Sequence, residues 1–486
     1  MGRTSMIRSG HVAHSVFSTP ITWRCDAAGG AARHSLWRAS RRAAAPLLSM
    51  AAALLLCAPS PGAQGPRERA RAFERATLLP ISAPPIENGV LVVTGGRIAA
   101  LGAEGQVEIP ADAERIDCRG LVLMPGLVDT HSHVGSPWGA DSSSPLQPEV
   151  RALDSIDVAE ASLMRARAGG LTSLNAMPGS GHLIGGQTVY LKLRRARSVE
   201  ELCYRFEDGG VMGGLKMANG TNPQGAPPFP ETRAKAAALV RAKFLEAQAY
   251  AERRARAAAD PKGEPVARDL GLEALVEVLE GKRIVHHHTH RADDILSVLR
   301  LSREFGFRTV LHHVSEAWKV PDEILASGAA CSVILVDAPG GKLEARDLSL
   351  DTPRVLHEAG VPLSLHSDDF ITDSRLFLRA AALAVRAELP REAALEALTL
   401  GGARQMDLQA RIGSLEVGKD ADLVLLDGDP LSIYTRVLET WVEGQRVFDL
   451  DAPADALYAE GGPGAGDPLP PISCCGPFLR SQGGAR

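Results

Sequence analysis

In the stretch Val128-Asp129-Thr130-His131-Ser132-His133, two histidines stand two residues apart at the end of an apolar run. In an extended strand such residues point the same way, because side chains alternate with period two. Two imidazoles on one side of a strand end can chelate a single metal ion. Three other apolar runs finish similarly. Arg283-Ile284-Val285 leads into His286-His287-His288-Thr289-His290, Thr309-Val310-Leu311 into His312-His313, and Val361-Pro362-Leu363-Ser364-Leu365 into His366-Ser367-Asp368-Asp369. Packing does not demand four strands that end in imidazole or carboxylate, and both groups are good ligands for zinc and similar ions. A divalent ion held there makes water nucleophilic near neutral pH and polarises a carbonyl or imine carbon. The chemistry indicated is metal-assisted hydrolysis. Any single extra histidine, such as His286, His287 or His312, reads first as a core residue or a support for a ligand.

Groups on four separate strands converge only if the strand ends open onto one face. A (β/α)8 TIM-type barrel, an α/β fold, does this. Strands are predicted at residues 127–128, 171–176, 214–217, 283–288, 309–313, 331–336 and 361–366, and helices at 231–258, 270–279 and 293–304. Their alternation is what a parallel sheet requires. The first of these helices, rich in Ala, Arg and Glu, reads as exposed. A fourth barrel strand is not evident. Short strands at 90–93 and 97–101, joined by Gly95-Gly96, and at 121–124 precede the barrel; others at 421–426, 440–442 and 445–448 follow it. They predict a small β-sandwich domain built from both ends, residues 76–124 and 406–450, around a barrel at 125–405. Residues 451–486 are rich in Gly and Pro and read as a loose tail.

Two stretches carry a family resemblance. Pro125-Gly126-Leu127-Val128-Asp129-Thr130-His131-Ser132-His133 opens the barrel, and Arg411-Ile412-Gly413-Ser414-Leu415-Glu416-Val417-Gly418-Lys419-Asp420-Ala421-Asp422-Leu423-Val424 closes it. Both resemble the signatures of the amidohydrolase superfamily, imidazolonepropionase-like and related members, and the likeness covers residues 87–450. Stretches 184–187, 214–223 and 290–295 also look like this subgroup. The resemblance implies that His131, His133 and Asp368 hold a divalent metal, zinc above all, and that Asp368 takes a proton from the attacking water. It implies that His288 and His313 hold a second ion, or that one of them binds substrate if there is one ion per chain. In binuclear members a carboxylated lysine bridges the ions, and Lys216 stands where that lysine is expected. A structural or substrate-contacting role is the alternative for Lys216. His286 and His290 remain alternatives to His288, and Asp369 to Asp368. The implied activity is hydrolysis of carbon–nitrogen bonds in amides, cyclic amides or peptide-like substrates. Deamination of a ring amidine is the second reading, although Glu316 near His313 does not reproduce the pattern of a ring-protonating glutamate. A non-catalytic scaffold is disfavoured because the full ligand set is kept.

The rest of the composition narrows the partners. Lys and Arg total 53 against 58 Asp and Glu, a net charge of −5. No basic face follows, so a small-molecule substrate is expected and nucleic acid is not; a homo-oligomer is compatible with this. The 7 Cys are scattered and show neither a zinc-finger spacing nor a disulfide framework. Within residues 1–65, Arg38, Arg41 and Arg42 precede an apolar run at 43–58 and then small residues. That is the order of a secretory signal, so an exported, periplasmic or extracytoplasmic protein is expected. The run falls short of the ~20 residues of a membrane span, and no integral membrane domain is expected. Substrate choice should rest on loops 134–148, 178–186 and 338–346, which carry no single telling charge.

Overall fold

Alternation of side chains decides the first sheet. Phe73, Leu91 and Val93 pack into one apolar cluster, while their neighbours Ala72, Val90 and Val92 face another. The computed structural model describes residues 69–260, 264–335, 342–369, 371–461 and 465. Five strands come first: β1 (Arg71–Leu78), β2 (Ile86–Thr94), β3 (Arg97–Ala103), β4 (Glu114–Asp117) and β5 (Val122–Pro125). Nine strands form the middle: β6 (Leu127–Ser132), β7 (Leu171–Ala176), β8 (Ile184–Gln187), β9 (Val189–Lys192), β10 (Leu215–Ala218), β11 (Val285–Thr289), β12 (Thr309–His313), β13 (Ala330–Val333) and β14 (Leu363–Leu365). Three more follow: β15 (Leu423–Leu426), β16 (Val437–Val442) and β17 (Gln445–Asp449).

The two ends of the chain share one eight-stranded sheet, in the order β17-β16-β15-β5-β1-β2-β3 with β4 on β1. Its seam is antiparallel, with Leu423 opposite Pro125 and Leu426 opposite Val122. The strand β1 begins five residues before the β-like region read from sequence at residue 76. Its Arg71 and Glu74 interrupt the apolar pattern but serve in ion pairs, with Glu114 and Arg115.

All seven strands expected in the middle are present. From β10 through β14 neighbours pair in parallel, as do β6 and β7. Most are buried along their whole length, as strands covered on both faces must be. The element missed in sequence is residues 184–192. Its first half, β8, pairs antiparallel with β10, and its second half, β9, pairs antiparallel with β7. This departs from an all-parallel set of strands. The link from β7 holds no helix, and a parallel return needs a crossover, usually helical. A lone parallel bridge joins Ser132 at the end of β6 to Asp369 beyond β14.

The helix Arg233–Ala259 is exposed over much of its length, as expected, but it also has a buried face. Ala236, Val240, Phe244, Ala247 and Tyr250 are buried at helical spacing. Phe244 stacks on Phe305 and Phe307, with ring centres 5.1 and 5.2 Å away. Small alanines on the inner face gave little hydrophobic contrast in the sequence. The predicted tail is likewise corrected in part, since Pro453–Glu460 is helical. The predicted export segment lies outside the described residues, as does most of the remaining tail. Among the described residues, no helix is long and apolar enough to cross a membrane.

A buried ion cluster pins the antiparallel segment to the C-terminal strands. Lys192 is fully buried, and its Nζ lies 2.5 Å from Asp420, 3.1 Å from Asp422 and 3.4 Å from Glu443. Those carboxylates outweigh the effect of burial and raise the lysine's pKa. Replacing Lys192 by Met takes from buried Asp422 its lysine counter-ion, while Asp420 keeps Arg411 and Arg97. It should destabilise the fold by about 3–5 kcal/mol in chemical denaturation. An unchanged midpoint would show that Asp422 needs no such partner.

Candidate metal centre

The ligand-bearing strand ends meet as expected, and the register explains how. Ala218, His288, His312, Ser332 and Ser364 are successive lateral partners from β10 to β14, so they share one face of the sheet. Lys216 and His286, two residues earlier, face the same way. His313 follows His312 directly, and the pleat would send it to the opposite face. It leaves β12 with φ of 70°, in the left-handed region, and its ring still lies 4.7 Å from that of His131. Asp368 also has a left-handed φ, 52°. Strained backbone of this kind persists only where its surroundings hold it.

Asp368 Oδ1 lies 3.2 Å from His131 Nε2 and 3.0 Å from His133 Nε2. Its other oxygen is 3.8 Å from His313 Nδ1. Burial favours the neutral acid, but the His131 and His133 rings outweigh it and hold Asp368 well below the usual carboxylate range. Asp369 is turned away. Its carboxylate accepts the backbone N–H and hydroxyl of Ser374, and its carbonyl accepts the N–H of His133. Of the two aspartates, Asp368 is the one whose carboxylate faces His131 and His133.

The His-rich run on β11 is also sorted. His286 spends both nitrogens, one on His312 and one on the Tyr190 hydroxyl, each at 2.9 Å. It is a support, as is His287, whose Nδ1 donates to the carbonyl of His288. His288 Nε2 meets the Asn222 amide at 2.7 Å, and its ring sits 4.3 Å from that of His313. His288 Nδ1 and His313 Nε2 are buried without a hydrogen-bond partner among the described residues. His133 Nδ1 lies 2.8 Å from the Met177 carbonyl, which can only accept, so Nδ1 carries the hydrogen and Nε2, the nitrogen with the lone pair, faces Asp368. Burial pushes the pKa of His131, His288, His312 and His313 well down, so these rings are neutral, the form that binds metals. Lys216 is fully buried, with Nζ 3.3 Å from His131 Nε2 and 3.3 Å from Met177 Sδ.

One participant had no role in the sequence reading. His366 lies 3.2 Å from His313 Nδ1 and 2.8 Å from the Ser332 hydroxyl. With Asp368 it repeats the x-spaced pairing of His131 and His133, a signal the sequence does carry. Three-residue groups with metal-binding spacing are His131, His133 and Asp368; His131, His312 and His366; and His288, His290 and Glu344.

Residues 122–452 match the profile of the Amidohydrolase family. The chain belongs to the amidohydrolase family. Such enzymes are metal-dependent hydrolases acting on carbon–nitrogen bonds. This amidohydrolase is similar to the amidohydrolase tasK of Hapsidospora irregularis, at 25% identity over 75% of this chain; the match spans only 39% of that protein. It is also similar to the imidazolonepropionase of Stenotrophomonas maltophilia, at 24% identity over 77% of this chain and 89% of that one. Among solved structures, an amidohydrolase from Thermotoga maritima superposes with a TM-score of 0.71 at 32% identity, covering 78% of this chain and 99% of that one. These neighbours place the amidohydrolase in a TIM-barrel-like α/β fold.

Asp129 connects the two ligand-bearing segments. It accepts the N–H of His131 at 3.1 Å, the N–H of Ser367 at 3.2 Å and the Ser367 hydroxyl. Burial lifts its pKa to about 7. Replacing Asp129 by Ala should loosen metal retention by roughly 10- to 100-fold, the usual cost of losing a group that orients ligands. Ion content after dialysis against a chelator measures this, and wild-type retention would exclude the role.

Proposed function

We propose that the chain hydrolyses amide, cyclic amide or peptide-like carbon–nitrogen bonds at the centre formed by His131, His133 and Asp368. The observation that carries this reading is the meeting of two imidazole nitrogens on one carboxylate oxygen, at 3.0 and 3.2 Å, in a buried place. Three such groups would hold a zinc ion, with His288 Nδ1 and His313 Nε2 available to a second one. When bound, the metal supplies the Lewis acidity that makes water nucleophilic near neutral pH. Asp368 accepts the proton of the attacking water and delivers it to the leaving nitrogen. His366 and Ser332 hold the ring of His313 from behind. The strands around this centre are read as a closed eight-membered ring, supported by the Ser132–Asp369 bridge and the double pairing of residues 184–192. The sheet shared by the chain ends is read as a small sandwich around Phe73, Leu123 and Trp441.

Lys216 is read as carboxylated and shared between two ions. An ammonium 3.3 Å from a ligand nitrogen repels a cation in a low-dielectric site, whereas a carbamate attracts it. Deamination of a ring amidine would use the same centre but would need a proton donor other than Glu316. That side chain accepts the N–H of Ala292 and pairs with Lys319.

Chelation should abolish hydrolysis across a panel of dipeptides, N-acyl amino acids and cyclic ureides, and Zn2+ or Mn2+ should restore it. Full activity in metal-free protein would sink the reading. Lys216→Ala should lower the bound metal from about two ions to one or none per chain, with partial rescue by short carboxylic acids. Unchanged metal content and activity would make Lys216 structural and the centre mononuclear.

A further inference from the structure

Beside the proposed centre, and sharing His288 with it, lie two buried polar groups that the hydrolytic reading does not use, Glu344 and His290. Glu344, His290 and His288 are each more than nine-tenths buried, and their ligand-type atoms lie within 4.8 Å of one another. One Glu344 oxygen, Oε2, accepts the N–H of Thr221 at 2.7 Å. A side chain at Gly220 would collide with that oxygen, so the Gly220–Thr221 backbone is shaped around the carboxylate. The other oxygen, Oε1, has no hydrogen-bond partner among the described residues. His290 Nδ1 meets the Ser315 hydroxyl at 2.8 Å, and its Nε2 is likewise buried and unpartnered. The His290 ring is 4.7 Å from that of His288 and 5.2 Å from that of His313, so the cluster borders the metal centre directly.

A desolvated carboxylate oxygen without a partner is costly. Two cations stand nearby. Arg233 is engaged by Asp294 at 2.9 Å through its Nε, and its Nη2 stands 3.8 Å from Glu344 Oε2, beyond hydrogen-bond reach. Lys342 acts electrostatically on His288 and His290. Neither supplies the described partner of Oε1. When His290 Nδ1 donates to the Ser315 hydroxyl, His290 Nε2 and Glu344 Oε1 are both acceptors, and what the cluster lacks is a compact donor that can serve the two at once. An ammonium group has that chemistry.

We propose that Glu344 and His290 form a substrate subsite for a positively charged amino group held next to the scissile bond. This rests on the reading of the adjacent centre as hydrolytic, and it narrows the substrate class to amides that carry a free amine. Asn222 orients His288 at the border, and Gly220 leaves room for the Glu344 carboxylate.

The test uses the metal-loaded full chain and two probes that cannot be hydrolysed, n-butylammonium and n-butanol, titrated by calorimetry at low salt. Wild type should prefer the ammonium. Glu344→Gln should reduce that preference by about 10- to 100-fold, the range of one charge-assisted hydrogen bond. Glu344→Asp, which keeps the charge, should retain part of it and guards against a folding defect in the amide variant. With amide substrates, Glu344→Gln should raise KM for the free amine by a larger factor than for its N-acetyl counterpart. Equal binding of the two probes to wild type, or no binding of either, overturns the subsite. So does a preference that Glu344→Gln leaves intact. If metal-loaded protein hydrolyses amides with no preference for a free amine, the subsite fails while the hydrolase reading stands. Ammonium binding through Glu344 in a chain that hydrolyses nothing has the opposite meaning.

Discussion

Two backbone hydrogen bonds govern where the ligands can be. The N–H of Asp368 donates to the carbonyl of His131 at 3.0 Å, and the N–H of His133 donates to the carbonyl of Asp369 at 2.9 Å. They lock the end of β6 against the segment beyond β14, so three side chains from two distant parts of the chain share one point. Asp129 reinforces the lock from below through Ser367. Everything else in the centre adapts to it. The left-handed turns at His313 and Asp368 let those residues face a point already set. Below them, a polar layer runs from Ser332 to Thr130 and Ser364 and on to Gln405, each hydroxyl finding a partner at 2.6 to 3.3 Å. Such a layer keeps polar groups satisfied in a core that would otherwise reject them.

Crowding so many imidazoles together creates a problem that the structure solves by assigning each nitrogen. His286 is exhausted by His312 and Tyr190, His133 is oriented by a carbonyl, and His288 is oriented by Asn222. Burial strips His286 and His288 of charge, as it does His131, His312 and His313. The cluster is therefore a set of neutral donors of electron pairs rather than a positive patch, and a carboxylate can sit among them.

Much of this was legible in the sequence because parallel strands in an α/β fold write their ends plainly. Each apolar run on β6, β11, β12 and β14 stops at its histidine or aspartate, and period two pairs His131 with His133. What remained hidden depended on contacts rather than on pattern. Which of His286, His288 and His290 faces the centre is set by Tyr190 and Asn222, far away in sequence. The segment 184–192 carries two glycines and a polar Gln187, so it lacked the apolar run that betrays a strand. Its pairing comes from its neighbours on both sides. Glu344 gave no signal at all, because its place is decided by the backbone at Gly220 and Thr221.

The position of the ligand seam also bears on how the protein reaches its final state. Ser367 and Asp129 are 238 positions apart, whereas β7 and the segment that pairs with it are near neighbours along the chain. Loop-closure entropy makes the near pairing accessible early and the distant one late. The three groups on His131, His133 and Asp368 thus come together only when the first and last strands of the middle region have met. A half-assembled chain lacks that group of three. Any metal gained at that moment stabilises the complete fold over every incomplete one, by mass action.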